Sequence, residues 1–352
     1  MTAEVTVLNQ QAVALAADSA VTISTGKKQK VFNSVNKLFR LSLNQPVGIM
    51  VYGAASLFSV PWETIIKLYR QEKKDHAYGT LNEYSHCFLK FLTCNGYEFF
   101  PQTIQDEYIE RIADTLATDV RDYVVRSIEE FFNIKTPTDR EIKTFASDAI
   151  VDFCNKIKAF DDSRNQITVK EILDLYSVMI EEKVKKCFEK FTLYKKDQDL
   201  IVKSIALYFT KNHFSEAVSG IVFAGFGGKE FFPSLNAFKI DAIINNKPRF
   251  VDDRQATITF DNRAQIRRFA QGDMVSTFIE GIDPMQKFQI ESYINEIFSN
   301  YPQIVIDKLS TTLELADKDK ETILKELFKS TEALFSQFSS DLAMITIFSW
   351  VV

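Results

Sequence analysis

Over the first fifty-odd residues apolar and polar positions alternate in short runs, the period-two signature of strands. "EVTVL" (4–8) alternates, "NQQ" turns, and "AVALAAD" (12–18) continues, which predicts a hairpin whose second strand closes on Asp18. "KLFRL" (37–41), the polar link "SLNQ" and "PVGIMVYG" (46–53) predict further strands, the last ending at Gly53. From about 60 to 215 the period lengthens to that of helices. Trp62, Ile65, Ile66 and Tyr69 repeat at helical spacing behind Pro61, which a first helical turn tolerates. Over 101–133 the apolar residues Ile104, Tyr108, Ile112, Leu116 and Val120 begin one long helix face. Segments 138–158, 168–191 and 196–213 repeat the pattern, joined by the turn-like "IKTPTD" and "DDSRNQ".

Strand pattern returns in "GIVFAGFGGKEFFPSLNAFKIDAII" and in "QATITF". Segment 272–337 predicts helix, broken near Gly281–Pro284 and again near Tyr301–Pro302, and the final "LAMITIFSWVV" suits a buried strand. Blocks of strands at both ends of a helical stretch predict a layered α+β protein with an all-α insertion. Three segments follow: 2–60, 61–216 (first core helix plus accessory insertion) and 217–352.

Composition narrows the functional classes. A net charge of −5 over 352 residues gives no electrostatic reason to expect nucleic acid or an anionic membrane surface. No apolar run reaches the roughly 18–20 residues of a membrane span, and no secretory leader is visible, so a cytoplasmic protein is expected. Cys87, Cys94, Cys154 and Cys187 fall in helix-like segments without zinc spacing and read as free thiols. With three histidines in the chain, neither a histidine-based metal site nor a Ser–His–Asp triad is expected. Lys229 and Glu230, beside the glycine turn, read as a solvated hairpin tip.

The front end carries the candidate chemistry. A small residue, Thr2, follows Met1, so aminopeptidase removal of Met1 would expose Thr2 with a free α-amine. Such an amine titrates at about 7.7–8.0 and can serve as a base near neutrality. It stands beside the residue's own hydroxyl, so nucleophile and base can be one residue. That device calls for a buried cation nearby and a carboxylate to orient it.

On these residues, 2–53 resembles the N-terminal half of proteasome β-type and HslV-type subunits of the N-terminal-nucleophile hydrolase superfamily. In that family a threonine begins the first strand and an acidic residue follows sixteen positions later, the spacing of Thr2 and Asp18. A lysine then opens a short strand, matched by Lys37 in "KLFRL", with Lys30 in "KVF" as the competing candidate. Lys37 is preferred because it opens the strand expected to pair with "GIMVYG". A second strand ends on a glycine whose N–H helps form the oxyanion hole, matched by Gly53. Ser19 and Ala20 fall where the family shapes its substrate pocket. "GIVFAGFGG" resembles the family's Gly-Ser-Gly turn with Phe226 in the serine position, and the tail has Ser339, Ser340 and Asp341 without a following Gly-Gly.

The resemblance implies a four-layer αββα sandwich and a threonine peptidase acting on peptides or unfolded protein, with no cofactor and no metal. Assembly into a homo-oligomer is implied, and an ATPase partner is left open. Phe226 and the altered tail favour an alternative, a non-catalytic scaffold subunit of the same fold. A third reading keeps the hydrolase and gives it a small amide as substrate.

Overall fold

Five strands in the order β11-β10-β9-β6-β5 organise the molecule, each antiparallel to its neighbours. They are β5 (Leu38–Arg40), β6 (Val47–Gly53), β9 (Ser219–Gly225), β10 (Ser234–Ile244) and β11 (Lys247–Thr257). The computed structural model describes the chain except residues 1–2, 20, 26–27, 33–35, 43, 75, 95–98, 132–137, 164–166, 190, 192, 215–217, 271, 313–316 and 349–352. Side chains are described for the rest except 21–25, 28–32, 94, 131, 312 and 341–348. The protein is mixed α+β with several antiparallel sheets.

β9 is buried at every position, which its uninterrupted "SGIVFAG" allows because both of its faces are covered. On one face Ile221 and Phe223 join Ile49 and Val51 in a core with α1 (Trp62–Lys73) and α2 (Leu81–Cys94). There Trp62, Ile65, Ile66 and Tyr69 form the buried side of α1, as their spacing predicts. Across the other face runs β2 (Val13–Ala17), over β5, β6 and β9. Val13 and Leu15 of β2 face Val47, Gly48 and Ala224 across an open cleft of about 280 Å³. β2 belongs to a three-stranded sheet ordered β12-β1-β2, with β1 at Ala3–Asn9 and β12 at Ala264–Ala270. The hairpin of β3 (Val21–Thr25) and β4 (Lys28–Phe32) follows β2 in the chain.

Between β6 and α1 stands a small hairpin, β7 (Ser56–Leu57) and β8 (Val60–Pro61). Its tip residues Phe58 and Ser59 both take positive φ, 48° and 65°, the backbone of a two-residue type I′ turn. Phenylalanine is an unusual occupant of that conformation. Edge-to-face contacts with Phe100 and Tyr108, at 5.7 and 5.5 Å, hold it there.

The helical stretch follows the sequence pattern closely. α3 (Gln102–Phe131), α4 (Asp139–Ala159), α5 (Val169–Cys187) and α6 (Lys195–Tyr208) share one core that includes Ile109, Val120, Ile150, Ile180 and Ile205. Thr138 opens α4 with a capping box to Glu141, and Thr168 caps α5.

The chain divides into two compact units, one of Thr6–Arg267 and one of Arg268–Val352 with Ala3–Val5. In the second, α7 (Gly272–Glu280) precedes two long helices, α8 (Pro284–Thr312) and α9 (Asp317–Phe348). Phe298 of α8 meets Phe335 of α9 edge to face at 6.4 Å. Two expectations are corrected here. The break at Tyr301–Pro302 does not occur, because α8 continues through a buried Pro302. The tail "LAMITIFSWVV" is helical to Phe348 rather than a strand; a short apolar run reads equally well as either, and here it extends a helix begun at Asp317.

Candidate functional site

β2 runs out at Ala17 and leaves Asp18 just past its end, while Lys37 stands immediately before β5. The two meet: Lys37 Nζ donates to Asp18 Oδ1 at 2.5 Å. The lysine side chain is only 7% exposed and the aspartate 35%, so the cation lies inside and the carboxylate lies toward water. The Lys37 carbonyl accepts from Val51 N–H at 2.9 Å, which ties the lysine's backbone to β6 two residues before Gly53.

Gly53 is glycine for two reasons. Its φ is +75°, and a Cβ would lie 2.4 Å from the Val218 carbonyl oxygen. Along β6, Val51 N–H points to Lys37 and Ala54 N–H to Val218. The alternation of an antiparallel ladder therefore turns the Gly53 N–H toward the Lys37 side. Lys37 and Gly53 line the same cavity of about 120 Å³, with Asn36, Tyr52, Ala55 and Trp62.

The backbone at Gly53 is fixed from behind. Trp62 Nε1 donates to Ser219 Oγ at 2.8 Å, and Ser219 Oγ donates to the Ala54 carbonyl at 2.9 Å. Tyr52 lies flat on Gly220, where a Cβ would come within 1.9 Å of the ring, and its hydroxyl donates to Asp253 at 2.8 Å. Lys239 holds the same carboxylate at 3.2 Å.

Of the residues singled out from sequence, the structure brings Asp18, Lys37 and Gly53 to one region. Thr2 and Ala20 lie outside the described residues, as does the Lys30 side chain. Ser19 is exposed. Phe226 is half-buried at the glycine turn, its N–H donating to the Pro46 carbonyl at 3.2 Å. Ser339 and Ser340 belong to α9.

One expectation about this turn fails. Glu230 is not a solvated tip: its carboxylate accepts from Gly227 N–H at 2.6 Å and from Leu81 N–H at 2.9 Å, closing the turn onto the start of α2. The helix start supplies an otherwise orphaned donor, and the carboxylate satisfies it.

Two buried polar groupings were missed. β1 turns Glu4, Thr6 and Leu8 to its buried face while Val7 is 42% exposed, so the polar half of the alternation points inward. Polar residues inside a strand run against packing preference and mark places where function overrides it. The second grouping joins insertion to sheet. Arg249 and Asp241 are both fully buried and ion-paired at 2.5 Å, and Tyr108 donates to the same carboxylate at 2.8 Å. Arg249 further donates to the carbonyls of Tyr208, Phe209, Lys211 and His213, which clamps the end of α6 to β11. Burial first, then the Asp241 charge, hold the Tyr108 hydroxyl well above the usual phenol range. Asp241 and Arg249 are far apart in chemistry from their apolar neighbours, yet the sequence gives no sign that they pair.

Cys87, Cys154 and Cys187 are free thiols. Among the described residues no group of three His, Cys, Asp or Glu side chains could hold a metal ion, and no helix is long and apolar enough to cross a membrane. No protein-family model, curated protein or solved structure matches this chain.

Proposed function

We propose that the protein is a proteasome-like threonine peptidase of the N-terminal-nucleophile class, built on a four-layer αββα sandwich with a helical insertion. The observation that carries this reading is the Asp18–Lys37 pair beside the Gly53 cavity: a buried cation, its carboxylate and a left-handed glycine turn within one small region. Removal of Met1 would free the Thr2 amine. Thr2 Oγ then attacks the substrate carbonyl carbon, its proton passing to the α-amine. The Gly53 N–H donates to the tetrahedral oxyanion as it forms. Lys37, held by Asp18, keeps the local potential positive and the amine neutral. Collapse of the intermediate expels the amine product with the stored proton, and water releases the acyl group from Thr2. Homo-oligomeric assembly and a cytoplasmic setting belong to the same reading, as does a peptide or unfolded-protein substrate.

Intact mass and N-terminal sequencing test the first step, and a retained Met1 overturns it. Labelling by a threonine-directed β-lactone, lost in Thr2→Ala, tests the nucleophile. The scaffold alternative draws on Phe226 at the turn where the family has serine. Unlabelled protein with Met1 removed would favour it. Cleavage of small amides without cleavage of peptides would favour the small-amide reading.

A further inference from the structure

Helix α8 is apolar on two faces. Phe298, Pro302 and Ile306 lie on the face packed along α9, with Ile306 only 4% exposed. A second stripe faces outward: Ile290, Tyr293, Ile297, Tyr301 and Ile304 are 42, 66, 43, 54 and 52% exposed. At 3.6 residues per turn these five fall within an arc of about 80°. A helix with apolar residues on both sides needs cover on both.

The stripe is also a palindrome. About Ile297, tyrosines stand four residues to either side and isoleucines seven residues to either side. A second copy laid antiparallel about a two-fold axis through Ile297 therefore matches like to like. Ile290 meets Ile304, Tyr293 meets Tyr301, and Ile297 meets itself. No charged residue falls within the stripe. Together the two copies would cover about 1,000 Å² around these side chains, the lower edge of a specific interface.

We propose that this stripe is the contact of an isologous homodimer, with α8 of each copy antiparallel and the two-fold axis at Ile297. The contact is independent of the chemistry assigned to Thr2. Pairing of tyrosines keeps their hydroxyls at the wet rim while their rings stack across the seam.

Light scattering coupled to size-exclusion chromatography on the full chain, over a micromolar concentration series, tests it. Wild-type protein is expected to dimerise, and Ile297→Glu, which sets two carboxylates on the axis, to weaken the dimer by at least about tenfold. Circular dichroism and a single cooperative melt show that this exposed position still permits folding. Under mild oxidation Ile297→Cys is expected to cross-link to itself. Ile290→Cys and Ile304→Cys are expected to cross-link when mixed, but not alone, above the wild-type background of the native thiols. A monomeric wild type, an assembly indifferent to Ile297→Glu, or self-linking by Ile290→Cys alone overturns the proposal.

Discussion

Lys37 and Asp18 form an asymmetric ion pair: the ammonium is nearly fully buried and the carboxylate is one-third exposed, at 2.5 Å. The asymmetry makes the two halves unequal to remove. Asp18→Ala deprives an interior cation of its carboxylate and is expected to cost about 2–3 kcal/mol, toward the low end for breaking a buried pair. Lys37→Met leaves a carboxylate that water can reach and fills the space with an apolar chain, so a loss of about 1 kcal/mol or less is expected. Urea denaturation of the two variants checks the order. Equal losses would mean that the lysine is less committed to Asp18 than its burial implies.

Gly53→Ala combines a left-handed backbone with a Cβ 2.4 Å from the Val218 carbonyl. A non-glycine residue in that region costs about 1–2 kcal/mol before any clash is counted. The total is expected to exceed 2 kcal/mol, with the turn displaced and any hydrolytic activity lost. A thermal melt of Gly53→Ala beside Gly48→Ala separates this site from a general intolerance of β6. A wild-type melt for Gly53→Ala would contradict a turn that only glycine can occupy.

The side chains of Asp241 and Arg249 are fully buried, so each depends on the other. Arg249→Met alone is expected to cost about 3–5 kcal/mol because it strands the Asp241 charge. Asp241→Asn combined with Arg249→Met is expected to cost less than the sum of the two single changes. Chemical denaturation of the three variants measures the coupling, and strict additivity would deny it.

Acid is expected to loosen the junction of insertion and hairpin. Burial raises the Glu171 carboxyl, but bonds from Lys247 and Asn245, the Lys247 charge and the Thr168 backbone together bring it below the ordinary glutamate value. Its contribution is therefore present above about pH 4.3, the unfolded value, and is lost as pH falls through the lower folded value. Glu171→Gln is expected to destabilise by about 1 kcal/mol near neutrality, a difference that fades in acid. A gap that persisted at low pH would assign the effect to packing.

Thiol chemistry reports on the insertion. Burial, ahead of the Asp197 charge and against a bond to Ser204, raises the Cys154 thiol in the insertion's core. Cys154 is expected to alkylate more slowly than the half-buried Cys87 in native protein and at a similar rate in urea. Mass spectrometry after timed alkylation follows each site. Rapid native labelling of Cys154 would mean that the insertion opens.

Long helices and the central strands were legible because their periods are unambiguous: α3 repeats one apolar face along its length, and β9 is a continuous apolar run. Asp18, Lys37 and Gly53 were singled out through the resemblance, each at the end of an expected strand, and the structure brings the three to one region. The inward face of β1 was not, because alternation gives two faces and does not say which is buried when a glutamate occupies one of them. β12 escaped because "AQIRRFA" sets Gln265 and Arg267 beside Phe269 on its less exposed side and leaves Ile266 on the exposed one, so no apolar face alternates with a polar one. Pro302 and the tail also misled. The local signal for a break at Pro302 lost to packing along a neighbouring helix, and the signal for a strand in the tail lost to continuation of a helix begun at Asp317, effects no single-residue propensity contains. The Asp241–Arg249 clamp joins the hairpin to a helix end 40 residues upstream, and pairing at such range leaves no local trace.

Ser219 bonds to Ala54 across 165 residues of chain, because the whole insertion lies between two strands that pair. As the polypeptide emerges from a ribosome, β6 must therefore wait for α1 through α6 before β9 arrives to cover its open edge. The insertion has a core of its own and can condense during that interval, bringing its ends together. In a living cell the delay leaves an uncovered hydrophobic strand edge for seconds, at synthesis rates of about 5–20 residues per second. Efficient production of this protein should accordingly respond to translation speed and to chaperones that shield nascent strands.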